Sequence, residues 1–302
     1  MESHHHQHDQ HHSGADTDAA MAELLDLDAE VLHSYLSEVT AWIRRLAADP
    51  PPRRILDLGS GTGTGAFALL ERFDQADVIA LDLSAEMLHR LSSKARVLGV
   101  ADRIRTVQAD LDTAWPAIDA VDLVWASSSL HHMADPDRVL AGVFATLRPG
   151  GLLVVAEMAS FPRFLPDDLG LGRPGLEARC HAVLDERQAV ELPHRGSDWG
   201  PRLSRAGFTV EAERPFVIHL AHGSIGSGLG SLALRIGLPA VGYLAGECLQ
   251  KANLGGVDSG AFGFVAGAVG AAAVDASVLG WDRWETRDGP GEVSVVALRA
   301  AY

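Results

Sequence analysis

The sequence predicts an α/β protein built on a doubly wound, largely parallel sheet. Three observations carry that expectation. The run Ile55-Leu56-Asp57-Leu58 is short and apolar, as a buried parallel strand is. It breaks at once into Gly59-Ser60-Gly61-Thr62-Gly63-Thr64-Gly65, after which Ala66 to Leu70 read as a helix. Further along, apolar runs of strand length alternate with segments of helix length, the signature of βαβ units. Finally, Asp57, Asp82, Asp110 and Ser127 stand at or just past strand ends. Ligands of such sheets bind outside the carboxyl ends of the strands, so these residues are expected to gather on one rim.

Taken in order, residues 1–18 are polar and carry His4, His5, His6, His8, His11 and His12. They read as a disordered tail outside the fold, although imidazoles in such number are also able to capture a transition metal. From Ala19 to Ala48, Met21, Leu24, Leu25, Val31, Leu32, Tyr35, Leu36, Val39, Trp42, Ile43 and Leu46 recur at helical spacing. Asp26 and Asp28 mark a break, so residues 19–52 are expected to form a helical N-terminal lid of two helices, ended by Asp49-Pro50-Pro51-Pro52.

A second strand spans Val78 to Asp82, and Ser84 caps a helix from Ala85 to about Leu98. Arg103 to Val107 is a third strand, and Ala120 to Ala126 a fourth. The helix from Pro136 to Leu147 stops at Arg148-Pro149-Gly150-Gly151, and Leu152 to Met158 is a fifth strand. Residues 159–200 are loop-rich around one helix from Leu176 to Val190. A helix from Trp199 to Ala206, a strand from Phe208 to Leu220 and a last strand from Glu292 to Leu298 follow. The core domain is thus expected over 53–222, a Gly/Ala-rich helical insertion or cap over 223–284, and a closing strand within 285–302.

A net charge of −15 and the absence of a basic patch argue against a nucleic-acid partner. Cys180 and Cys248 provide neither a disulfide framework nor metal-ligand spacing, so no metal is expected and a reducing cytoplasm fits. No signal-peptide apolar region opens the chain, and the uncharged run from Ala261 to Val274 is shorter than a membrane span requires. No membrane association is expected, and the oligomeric state is not legible.

The glycine turn by itself serves two cofactor classes. Gly61-Thr62-Gly63-Thr64-Gly65-Ala66 satisfies the dinucleotide pattern G-x-G-x-x-G/A with Asp82 at a suitable distance, the pattern of an NAD-dependent oxidoreductase. Asp57 followed by Gly59-x-Gly61-x-Gly63 resembles instead the first motif of the class I S-adenosylmethionine-dependent methyltransferases. The remaining motifs decide between the two. Asp82-Leu83-Ser84-Ala85-Glu86-Met87-Leu88, Gln108-Ala109-Asp110-Leu111, Asp122 through His132, and Leu147-Arg148-Pro149-Gly150-Gly151 follow in order and spacing like the successive motifs of the small-molecule members of that family.

The resemblance implies a Rossmann-like seven-stranded sheet, parallel except for an antiparallel last strand, with helices on both faces. It implies an enzyme that moves a methyl group from S-adenosylmethionine to a small organic molecule, leaving S-adenosylhomocysteine. A non-catalytic S-adenosylmethionine-binding protein is the further alternative. The resemblance implies roles for Gly59, Ser60, Gly61 and Gly63 beside the amino-acid tail and ribose, with Asp57 near the tail's ammonium. Asp82 accepts from the ribose hydroxyls, Asp110 from the adenine amino group, and Leu83, Met87, Ala109 and Leu111 line the ring, with Ser127 making backbone contacts. For Asp110 the binding role is favoured over the cap of a turn, while Met87 reads equally as core.

Methyl transfer is mostly alignment, and a base is needed only when the nucleophile must lose a proton. His131 and His132, just past the fourth strand, are the catalytic candidates, with His131 as general base; the bland reading is a pair that hydrogen-bonds the loop. A base favours O- or C-methylation. The loop Ser127-Ser128-Ser129-Leu130 has no proline or aromatic residue to stack a flipped base, which again argues against nucleic acid. Tyr35, Trp42, Phe161-Pro162-Arg163-Phe164-Leu165 and Trp199 are the candidates for walls of an acceptor pocket.

Overall fold

The computed structural model describes residues 32–47, 49–158, 192–217 and 292–300, with positions 21, 22, 25, 26 and 29 and scattered positions between 174 and 190. The expected tail, the Gly/Ala-rich segment and Phe161 to Leu165 lie outside the described residues. The chain divides into two units. One comprises residues 1–158, 196–216 and 293–302 and carries the sheet; the other comprises residues 159–195 and 217–292. In the second unit, the described positions 178, 179, 182, 185, 186, 189 and 190 are helical, within the stretch expected to be a helix.

The sheet has seven strands: β1 (Arg54–Leu58), β2 (Asp77–Asp82), β3 (Ile104–Gln108), β4 (Val121–Ser127), β5 (Leu147–Met158), β6 (Phe208–Val217) and β7 (Glu292–Ala300). Their order is β3-β2-β1-β4-β5-β7-β6. Pairs β1/β2, β2/β3, β1/β4 and β4/β5 are parallel, and β7 runs antiparallel to β5. The chain winds outward from β1 to β3 and then returns to place β4 on the other side of β1, so the topological switch point lies between β1 and β4.

Alternation along the strands divides the core in two. Leu56, Leu58, Ile79, Leu81, Val124, Ala126, Leu153 and Val155 share one buried cluster with Val139, Leu140 and Val143 of helix α4 (Pro136–Thr146) and Leu203 of α5 (Gly200–Arg205). The opposite face is covered by α2 (Thr64–Arg72), whose Gly65 lies against Trp125, and α3 (Ala85–Val97), whose Leu91 lies against Gly63. Helix α1 (His33–Leu46) buries Tyr35, Leu36, Val39, Trp42 and Ile43, and α2 holds it through Arg72, which donates to the Ser37 carbonyl at 3.1 Å.

The helix starts have visible causes. Ser84 Oγ accepts from the Met87 N–H at 3.4 Å, and Asp135 Oδ1 accepts from the Arg138 N–H at 3.1 Å with Pro136 in the first turn.

Beneath the sheet, Asp122 accepts from the Arg53 and Arg54 N–H groups at 2.9 and 2.8 Å and from Arg148 Nη1 at 2.6 Å. It ties the starts of β1, β4 and β5 together at the end opposite the rim. Arg299 of β7 bonds Glu211 of β6, the Gly150 carbonyl and the Leu46 carbonyl at the end of α1.

The fifth strand differs from expectation. Arg148-Pro149-Gly150-Gly151 is not a break before the strand but part of it. Val121 pairs with Leu147, and the next pair is Leu123 with Leu152, so two steps along β4 match five along β5. The surplus is absorbed where Gly150 takes φ +76°, a bulge that only a residue without Cβ forms cheaply.

Candidate active site

The rim is built where β1, β2, β4 and β5 end. After β1 the glycine turn is pinned to its neighbour, because the Gly59 and Ser60 N–H groups both donate to the Leu81 carbonyl at 2.9 Å. The Gly61 N–H donates to Asp82 Oδ2 at 2.8 Å, and the Gly63 N–H donates to the Ser60 carbonyl at 2.9 Å. These four N–H groups are thus spent inside the protein.

The turn instead holds oxygen atoms. Asp57 Oδ2, Ser60 Oγ and Thr62 Oγ1 are buried without a hydrogen-bond partner among the described residues, and so is Ser129 Oγ across the switch point. Buried polar atoms left in this state are uncommon, and a bound ligand, ion or water is one explanation for them. Burial, and after it the charge of Asp82, pushes the Asp57 carboxyl up to about 7, against the pull of the Ala66 N–H that donates to it. Two carboxylates beside spent donors favour a cation over the pyrophosphate of a dinucleotide, which needs N–H groups.

The other wall is the loop after β4. Ser128 holds φ +49°, a strained left-handed conformation for a residue with a side chain, while its N–H donates to the Ala156 carbonyl at 2.8 Å. Ser129 then lies so close to Gly59 that a Cβ on that glycine would sit 2.5 Å from Ser129 Cβ. Leu130 to His132 form one 3-10 turn. From the end of β5, Glu157 reaches into it: Oε1 accepts from the Leu130 N–H at 3.1 Å, and Oε2 lies 2.6 Å from His131 Nδ1. The rings of His131 and His132 lie 4.2 Å apart. Glu157 is 8% exposed, an acid held inside the protein next to an imidazole.

A family model described as a methyltransferase domain matches residues 55–151, the stretch that builds this rim from β1 into β5. A malonyl-[acyl-carrier protein] O-methyltransferase of Laribacter hongkongensis (strain HLHK9) is 35% identical over 167 residues, covering 53% of this chain and 52% of that protein. A trans-aconitate 2-methyltransferase of Acidovorax sp. (strain JS42) is 38% identical over 133 residues, covering 43% and 49%. Over the stretch that builds the rim the chain is thus similar to methyltransferases, in keeping with the class I family that its motifs resemble. It spans about half the length of these curated relatives. Among solved structures, the YcgJ protein of Bacillus subtilis superposes with a TM-score of 0.51 at 16% identity over 89% of this chain and all of that one, a likeness of fold.

The cofactor that the resemblance implies is S-adenosylmethionine, and the residues present fit it. Its ammonium and sulfonium need carboxylates and uncharged oxygens, which Asp57, Ser60, Thr62 and Ser129 offer. Asp82 has each carboxylate oxygen engaged once, Oδ2 by Gly61 and Oδ1 by the Ser84 N–H at 2.9 Å, and retains a second lone pair on each for a ribose hydroxyl. Leu83, next to it, is 65% exposed, an apolar surface in the place expected for an adenine wall. The Ala109 N–H donates to the Asp82 carbonyl at 3.1 Å, which holds the end of β3 beside it.

Other expected residues have partners within the protein. Asp110 caps a turn: Oδ1 accepts from the Asp112 N–H at 2.9 Å and Oδ2 from Thr113 Oγ1 at 2.7 Å, bonds that hold its carboxyl below its ordinary value. Leu111 is buried in the core cluster and its carbonyl accepts from Arg138 Nη2 at 2.7 Å, while Met87 is buried on α3 beside Leu88. Ser127 ends β4, paired with Ala156. Trp199, a candidate pocket wall, belongs to the core cluster. Tyr35 and Trp42 meet Phe216 of β6 edge-on at 6.1 and 5.7 Å, so they dock α1 on the sheet. Glu157 was not among the expected residues. Its one sequence signal is an acid at the end of an otherwise apolar strand.

Proposed function

We propose that this protein transfers the methyl group of S-adenosylmethionine to an oxygen or carbon atom of a small organic acceptor, with His131 as the general base. The observation that carries the reading is the pairing of His131 with Glu157 on the rim, across the switch point from the glycine turn. An imidazole beside a carboxylate is equipped to take the proton that a hydroxyl or an acidic carbon must lose. Two further considerations support a small acceptor. The relatives named above act on malonyl-[acyl-carrier protein] and trans-aconitate, and the charge of −15 disfavours a polyanion. Among the described residues no helix is long and apolar enough to cross a membrane.

Calorimetric titration of S-adenosylmethionine, S-adenosylhomocysteine and NADH tests the cofactor. The first two are expected to bind, NADH is not, and Asp82→Ala is expected to weaken binding at least tenfold, about 1.4 kcal/mol. A panel of carboxylic acids, phenols and activated carbon acids, assayed with and without His131→Ala, tests the acceptor class. Transfer that survives His131→Ala undiminished would sink the role of the base.

A further inference from the structure

We propose that Trp125 is a positioning residue of the cofactor site: its indole N–H donates to Asp57 Oδ2 when that carboxylate is ionised to face the cofactor's ammonium, and so fixes the acid in place. The inference rests on the reading of S-adenosylmethionine as the cofactor and deepens it.

The strands set up the pair. Asp57 of β1 and Trp125 of β4 are partners in the parallel register, so their side chains leave the same face of the sheet, the one that α2 covers. Both are almost fully buried there. Gly65, in the first turn of α2, lies over them. A Cβ on Gly65 would sit 2.4 Å from Trp125 Nε1 and 3.2 Å from Asp57 Oδ2. The indole nitrogen and the carboxylate oxygen therefore border the same gap, the one this glycine leaves.

The glycine is explained by the gap and not by its backbone. Gly59, Gly61 and Gly63 of the same turn all have positive φ, whereas Gly65 is helical and does not. Alanine is the better helix former, so what keeps a side chain out of this position is the indole.

The chemistry of the pair is directional. Asp57 Oδ2 is buried without a hydrogen-bond partner among the described residues, while the Ala66 N–H donates to the same carboxyl. An indole N–H only donates, and it is held best by an ionised carboxylate, which only accepts. Trp125 thus works against burial and the Asp82 charge, which push this carboxyl up to about 7. The other charged groups on the surrounding elements are engaged elsewhere. Lys94 of α3 meets the turn at the Thr62 carbonyl and pairs with Asp26. Arg72, at the far end of α2, bonds Ser37 and Thr40 of α1, and Asp122 lies at the opposite end of β4. With backbone and indole donors holding the carboxylate, its remaining lone pairs are left for a cation.

The test reads the indole in the full-length protein. Nuclear Overhauser contacts with the Gly65 protons assign the Trp125 indole proton among the six tryptophans. In the unsubstituted protein its NMR signal is expected to move downfield as pH rises through about 7, as Asp57 ionises. Saturating S-adenosylhomocysteine is expected to hold the signal at the downfield position even at pH 6. In Asp57→Asn the movement with pH is expected to vanish. A signal that ignores both pH and ligand, or one that still follows pH in Asp57→Asn, would overturn the proposal.

Trp125→Phe keeps an aromatic ring and removes the N–H. By calorimetry it is expected to weaken S-adenosylhomocysteine binding about tenfold at pH 6 and less than about twofold at pH 8.5, where Asp57 is ionised with or without the indole. A loss of one size at every pH would mean that the ring only fills space, and the proposal would fall. Should Trp125→Phe not fold, the indole signal of the unsubstituted protein and of Asp57→Asn still decides. Failure of S-adenosylhomocysteine to bind the unsubstituted protein would end the proposed function and leave the response of the indole to pH standing, so the two failures are distinguishable.

Discussion

Ser129 closes on Gly59 so tightly that the glycine has no room for a side chain: a Cβ there would lie 2.5 Å from Ser129 Cβ, at a backbone φ of +73°. This contact joins the turn after β1 to the loop after β4 across the switch point. Gly59→Ala is therefore expected to destabilise the protein by about 2–4 kcal/mol, from left-handed strain and overpacking together. Gly99 is the control. Its φ is +69°, yet nothing lies within 4 Å of its Cβ position, so Gly99→Ala isolates the backbone part, about 1 kcal/mol. Urea denaturation of both variants checks the difference; equal losses would mean that the Ser129 contact yields.

Asp57 gives the stability of the protein alone a pH dependence of definite sign. Burial, then the Asp82 charge, raises its carboxyl from 3.8 to about 7. Between these values the folded state binds more protons than the unfolded one, so the stability present below pH 4 is lost as pH rises toward 7. The slope is at most about 1.4 kcal/mol per pH unit. Asp57→Asn is expected to flatten that slope and to be more stable than the unsubstituted protein at pH 8.

Ligand affinity runs the other way. If a cofactor ammonium faces Asp57, binding expels its proton, and the affinity for S-adenosylhomocysteine falls as pH drops below 7 in the unsubstituted protein alone. Calorimetry at pH 6, 7 and 8 checks both variants.

How much of this was legible in the sequence depends on whether a feature is local. The strand, glycine turn and helix from Arg54 to Arg72 and the Ser84 cap were legible because each is written in neighbouring residues. The parallel sheet followed from alternation, and its antiparallel last strand from the family resemblance. The start of β5 was not legible, because Pro149 and Gly150 look like a stop, and only pairing of Leu147 with Val121 makes them a bulge.

The same limit governs the site. His131 stood out as a titratable residue after a strand, but its partner lies 26 positions away, placed by the register of β4 on β5. Apolar residues were the least decidable. Leu111 and Trp199 have the chemistry of a pocket wall and of a core residue alike, and packing put both in the core.

Tyr35 tests whether α1 does more than pack. Its hydroxyl is buried without a partner among the described residues, and burial raises its pKa above the ordinary tyrosine value. Leaving such a group unsatisfied costs about 1–3 kcal/mol, while the ring's contact with Phe216 does not need the oxygen. Tyr35→Phe is expected to raise stability by about 1 kcal/mol, read as a higher Tm. If the same variant also raises KM for an acceptor, the hydroxyl serves the substrate; unchanged kinetics would confine Tyr35 to docking the helix.

Lys94 joins the N-terminal segment to the cofactor turn. Its Nζ pairs with Asp26 and donates to the Thr62 carbonyl at 3.3 Å, and Leu25 Cδ1 lies 3.1 Å from the Cβ position of Gly61. The turn is thereby covered by a residue far outside the motif that forms it. About a third of each charged side chain is exposed, so the ion pair itself contributes little, about 0.5–1 kcal/mol. Its larger effect is on kinetics, because a cover must lift before a ligand beneath it leaves. Lys94→Met is expected to speed S-adenosylhomocysteine dissociation about two- to fivefold and to raise amide exchange at Leu25 and Asp26, with the global unfolding midpoint shifted only slightly. Stopped-flow displacement and hydrogen exchange read the two effects separately. Faster exchange with an unchanged dissociation rate would mean that the segment covers the turn but not the ligand's way out.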